Sequence, residues 1–71
     1  MPNAEKIKKR IAEMTMTQAD VAKELNIAAP TLSQKINGVR PFYLDEAEKL
    51  AEILKIEMSR FGEYFFKDEI A

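Results

Sequence analysis

The chain has no cysteine and no histidine among its 71 residues. Disulfides, thiolate zinc sites and the usual imidazole acid–base chemistry are therefore excluded. Only two glycines and three prolines occur, and no low-complexity tract, internal repeat or interdomain linker interrupts the chain. No apolar run approaches the ~20 residues of a membrane span. The opening residues, MPNAEKIKKRIAEM, carry lysines without an apolar core segment, so no signal peptide is expected. An excess of charge of either sign is also missing, because the net charge is −1. The length leaves room for one domain, residues 1–71, around one modest core.

What is present is an ordered set of helix signals. Thr17 is a good N-cap, Asp20 follows at capping-box spacing, and Met16 can staple onto Val21. Ala19, Ala22 and Leu25 then recur at helical spacing, and the small Ala22 permits a close helix crossing. Asn26 tolerates the left-handed backbone that stops a helix abruptly, and Ile27 plugs the corner. A second helix runs from about Pro30 to Asn37, with Leu32 and Ile36 inward and Gly38 just past its end. Asn37-Gly38 could instead mark a hairpin turn, but its flanks do not alternate apolar and polar. Two helices joined by so short a turn make a helix-turn-helix, here residues 17–37, whose second helix enters a DNA major groove.

Three more helices complete an all-α reading. The first spans about Ala4 to Met14, with Ile7, Ile11 and Met14 on one face. A fourth spans Leu44 to Lys55, with Ala47, Leu50, Ile53 and Leu54 inward and Asp45, Glu46 and Glu48 complementing the dipole at its start. A short fifth covers Met58 to Glu63 or slightly beyond. The expected core is Ile7, Ile11, Met14, Ala22, Leu25, Ile27, Leu32, Ile36, Leu50, Ile53 and Leu54.

The run resembles the DNA-binding domains of the lambda-repressor and Cro type. Gln18-Ala19, Ala22, Leu25, Ile27, Leu32, Gln34 and Asn37-Gly38 carry the likeness. It continues through Arg40-Pro41 and Leu50-Ala51-Glu52-Ile53-Leu54 to Tyr64-Phe65-Phe66, nearly the whole chain. The resemblance implies a compact five-helix domain and a cytoplasmic, nucleoid-associated regulator, such as a phage or prophage repressor in a bacterial or phage-infected cell. It implies double-stranded DNA as partner, with no enzyme activity, cofactor, metal or small-molecule ligand.

Charge is divided along the chain. Residues 1–40 hold seven Lys/Arg and four Asp/Glu, a balance of +3, whereas residues 41–71 hold four and eight, a balance of −4. Local potential governs phosphate binding, so an acidic far side is compatible with a DNA-facing first half.

On the recognition helix, with Leu32 as the centre of the buried face, Pro30, Gln34 and Asn37 fall opposite and Thr31 and Ser33 on the flanks. Gln34 is a long amide able to pair with an adenine edge, and Thr31 and Ser33 can donate to bases or phosphates. Ala28, Ala29 and Pro30 stand where relatives often carry polar readers, leaving only contact with thymine methyls. These six are the expected base-contacting residues. For phosphate, Gln18 matches the family position that grips the backbone, with Thr17 beside it. Lys35, Asn37 and Arg40 cluster at the helix end, and Lys9 and Arg10 on the first helix add a second contact. The stem of Lys35 is expected to cover the core edge while its ammonium reaches outward.

Each feature also has a plainer reading: Gln34 as a solvated residue, and Lys6, Lys8, Lys9 and Arg10 as a solvated face. Phe61, Tyr64, Phe65 and Phe66 serve core and interface, since only Lys67 lies close enough to accompany a stacked base. Phe61 to Phe66 with Ile70 nevertheless offer more apolar surface than a small core absorbs, so a weak homodimer through this segment is expected. The alternative function on the same fold is an antitoxin or protein-interaction module using the acidic, aromatic second half.

Overall fold

The computed structural model describes residues 2–66. Helices α1 (Ala4–Glu13), α2 (Gln18–Leu25), α3 (Ala29–Ile36) and α4 (Leu44–Ile53) are followed by a 3₁₀ turn, Met58–Arg60, that leads into α5 (Phe61–Phe65). No strand occurs among the described residues, and no described helix is long and apolar enough to cross a membrane.

Local chemistry sets the helix boundaries. The Asn3 side chain caps α1 by accepting the Lys6 N–H at 3.2 Å. At α2, Thr17 Oγ accepts the Asp20 N–H at 3.1 Å, and the Asp20 carboxylate accepts the Thr17 N–H at 2.8 Å. This is the reciprocal box that the spacing predicts. The four long helices stop in one way: a residue with positive φ follows the last turn at Thr15 (55°), Asn26 (64°), Gly38 (82°) and Lys55 (54°). After α3, for example, the Gly38 N–H reaches the Lys35 carbonyl at 3.2 Å and the Val39 N–H the Gln34 carbonyl at 2.8 Å. That pair of bonds satisfies carbonyls that a helix end otherwise leaves orphaned. Asn26 makes the helix-turn-helix corner as its side chain suggests.

The core gathers Ile7, Ile11, Ala22, Leu25, Leu32, Ile36, Leu50 and Leu54 as expected, and Met14, Ile27 and Ile53 pack half-buried at its margin. Val21, Ala51, Tyr64 and Phe65 are core residues that periodicity does not assign there. Ala19 is exposed, because the buried face of α2 is Val21, Ala22 and Leu25, one step round from the expected stripe. Helix five differs only at its start, which is a 3₁₀ turn; its α-helical part ends at Phe65, slightly beyond Glu63 as expected. Phe61 stacks on Phe65 with ring centroids 4.6 Å apart, and Phe42 meets Phe65 edge-on at 5.6 Å. An Asn3 N–H to Tyr64 carbonyl bond of 2.8 Å ties the start of the chain to α5.

Candidate nucleic-acid interface

The outward face of α3 is built by elimination. Leu32 and Ile36 are fully buried, which turns Ala28, Ala29, Pro30 and Gln34 to solvent, with Thr31 and Ser33 half-exposed on the flanks. Pro30 occupies the first turn, where its missing N–H leaves no bond unmade. No side chain caps this helix, since Ala28 stands at the N-cap. The first turn of α3 is therefore apolar and open. Among the described residues, no hydrogen bond engages the amide of Gln34.

Around this face the expected phosphate residues divide. Arg40 is exposed in the connector beyond α3, and Gln18 is half-exposed at the first turn of α2. Thr17 is exposed but engaged: its N–H and its hydroxyl oxygen are both used by Asp20. The Thr17 backbone N–H and hydroxyl hold the Asp20 carboxyl below its ordinary range, so a negative charge persists at that helix start. Asn37 is likewise occupied, donating to the Ser33 carbonyl at 2.9 Å and accepting from Lys8 Nζ at 3.1 Å.

Two of the expected phosphate residues spend their charge inside the protein. Lys35 is not outward: it is 5% exposed, and its ammonium is paired with Glu46 and lies 4.5 Å from the centre of the Tyr43 ring. Burial pushes the Glu46 carboxyl up, but the Lys35 hydrogen bond and the Tyr43 N–H outweigh it and hold the group below its ordinary range. An ammonium so engaged would have to break its pair to meet a phosphate. Arg10 is also diverted. Its Nε donates to the Leu54 carbonyl at 2.8 Å, closing the end of α4, and its Nη1 meets Glu13 at 3.3 Å. Lys9 and Arg10 line a groove of about 480 Å³ with Lys55, Glu57 and Arg60, to which no residue of α3 contributes.

The cation of α1 that does reach α3 is Lys8. Its bond to Asn37 sets an exposed ammonium beside the end of the recognition helix. At about 100° per residue, Lys8 falls on one flank of the Ile7–Ile11 stripe and Lys6 and Arg10 on the other. The helical wheel thus carries a signal that grouping the four basic residues conceals.

Among the described residues no three His, Cys, Asp or Glu side chains gather in a metal-binding arrangement. The site offers a helix face, amides and hydroxyls, with exposed cations at its edge, which is equipment for binding a polyanion and reading its surface. No curated protein and no solved structure shows significant similarity to the chain. The family model for the Cro/C1-type HTH DNA-binding domain, in contrast, matches residues 6–64, from the first turn of α1 to α5. The buried Leu32–Ile36 side of α3, its open outer face and this match together make the chain a member of the Cro/C1-type helix-turn-helix DNA-binding domain family.

Proposed function

We propose that the chain is a Cro-like repressor, of phage or prophage type, that inserts α3 into the major groove of a symmetric operator. The observation that carries this reading is the outer face of α3, where Gln34, Thr31 and Ser33 supply polar contacts and Ala28, Ala29 and Pro30 form an apolar strip suited to thymine methyls. Gln18, Arg40 and Lys8 are the phosphate contacts, with the hydroxyl hydrogen of Thr17 and the exposed Lys9 as outer ones. With Lys35 neutralised by Glu46, few cations remain at the face, so affinity for a single half-site is modest and specificity needs two copies.

The homodimer belongs to the same proposal. Its support is Phe66, 52% exposed, and a groove of about 550 Å³ that Phe66 lines with Pro2, Pro41, Phe42 and Phe65, with Gly38 and Arg40 completing its wall. The aromatic surplus is smaller than the sequence suggests, because Tyr64 and Phe65 are buried and Phe61 is half-buried. Ile70 and Lys67 lie outside the described residues. Selection of duplexes from a random pool, followed by salt titration of the enriched sequence, tests the function. Enrichment of a two-fold symmetric sequence and a linear fall of log affinity with log salt are expected. Recovery of no sequence, with salt-independent retention, would refute it and favour the protein-interaction reading.

A further inference from the structure

Among the described residues Lys35 is the one buried charged side chain, and it lies on the recognition helix. Withdrawing an ammonium from water is costly, and a well-packed apolar pair in place of a buried ion pair is often as stable or more so. Stability alone therefore does not account for a lysine here. Its surroundings suggest another reason. Helix α3 packs mainly on α2 and has no comparable backbone contact with α4. The Lys35 ammonium bridges that side: it meets Glu46 Oε1, the same oxygen accepts the Tyr43 N–H at 3.0 Å, and the Tyr43 ring lies 4.5 Å away. These contacts converge on the start of α4 from across the connector, residues 37–43. Thr31 and Arg40 line the same groove, so the bridge stands beside the DNA-facing side chains. An apolar contact would permit α3 to roll about its axis, whereas an ion pair with a fixed acceptor resists it. Gln34 is adjacent to Lys35 and would move with any such roll.

We infer that the Lys35–Glu46 pair is a positioning latch: it fixes the rotation of α3 against α4 and thereby sharpens sequence discrimination, without touching DNA. The inference rests on the proposed major-groove reading. Its test uses the full chain, the duplex that the wild-type protein enriches from a random pool, and an unselected duplex. In Lys35→Met/Glu46→Leu both charges are gone and the space stays filled. The melting midpoint should equal or exceed that of wild type. Affinity for random duplex should stay within about twofold. The ratio of selected to random affinity should fall about tenfold, as for one misread base pair. Because Lys35 meets no phosphate, the salt slope should be unchanged. A retained ratio overturns the latch, as does a slope lowered by ~1, which would make Lys35 a phosphate contact. Should the double variant fail to fold, Lys35→Met removes the ammonium and leaves the Glu46–Tyr43 bond in place; a fallen ratio in it supports the latch and a retained one overturns it. Hydrogen exchange gives a readout that needs no DNA. The Val39 and Arg40 amides, both bonded to the Gln34 carbonyl, should exchange faster relative to Leu54 in whichever variant folds, and equal protection overturns the latch. Failure of wild type to enrich any sequence would instead refute the major-groove reading, leaving exchange to judge the latch.

Discussion

Replacing Leu32 by alanine tests the support of the recognition helix most directly. Leu32 is 0% exposed and sits on the inner face of α3, with Ile36 one turn beyond it. Truncating a fully buried leucine removes its transfer free energy and leaves a cavity, together costing ~2–5 kcal/mol. A 71-residue domain holds about 4–11 kcal/mol in all, at ~0.05–0.15 kcal/mol per residue. A loss of ~3 kcal/mol lowers the midpoint by ~12–24 °C, at ~4–8 °C per kcal/mol for a domain of this size. Leu44→Ala is the matched control, because Leu44 opens α4 yet is 67% exposed and should change stability by no more than about 0.5 kcal/mol. Thermal unfolding followed by far-ultraviolet circular dichroism reads both variants in the same buffer. A Leu32→Ala midpoint within ~4 °C of wild type, or equal losses in the two variants, would refute the claim that α3 is anchored through this side chain.

Thr15→Gly should stabilise the fold by ~0.5–1 kcal/mol, because a β-branched residue at φ 55° carries ~1–2 kcal/mol of strain and glycine returns only part of that as chain entropy; a lower midpoint in the same melt contradicts the strained cap. Hydrogen bonds from Lys6, then Arg60, hold the Glu63 carboxyl down at about 2, against an ordinary 4.5. Its contribution is therefore complete above the ordinary value and fades as the pH falls toward about 2, so the melting difference between wild type and Glu63→Gln should shrink across that window; parallel curves would show that the ion pairs do nothing. Gln34→Ala should cost ~1–3 kcal/mol on the selected duplex only, whereas Arg40→Ala should weaken all duplexes alike and reduce the salt slope by ~1; equal losses on selected and random DNA for Gln34→Ala would remove it from base reading. Phe66→Glu should leave the monomer folded and abolish self-association in sedimentation; an unchanged mass distribution would dismiss the proposed aromatic contact.

Features that depend on neighbours in the chain are legible in the sequence. The Thr17–Asp20 box, the corner at Asn26 and the stop at Gly38 each involve bonds that span a few residues, so residue type and spacing suffice. The same holds for Leu32 and Ile36, whose spacing on a short amphipathic helix leaves one inward face. Charged side chains escape such reading where their partners are remote. Arg10 finds a carbonyl 44 positions away and Lys8 an amide 29 positions away. Lys35 pairs with a carboxylate 11 positions on, across an irregular connector that no periodicity describes. A long cation satisfies its charge wherever folding delivers an acceptor, and sequence position alone does not say where that is. The shift from Ala19 to Val21 has a simpler origin: eight residues make little more than two turns, and alanines mark a stripe weakly.

The repeated left-handed stop at Thr15, Asn26, Gly38 and Lys55 bears on how fast the chain finds its shape. Each stop reverses or redirects the backbone within a few residues, so α1, α2 and α3 are joined by very short connections and meet partners nearby in sequence. Little loop-closure entropy then precedes the first helix–helix contacts. Helical domains with such local wiring fold in microseconds to milliseconds. A regulator of this kind that opens transiently would regain its recognition surface on that timescale, well before slower chemistry such as proline isomerisation, which takes ~10–100 s, could intervene.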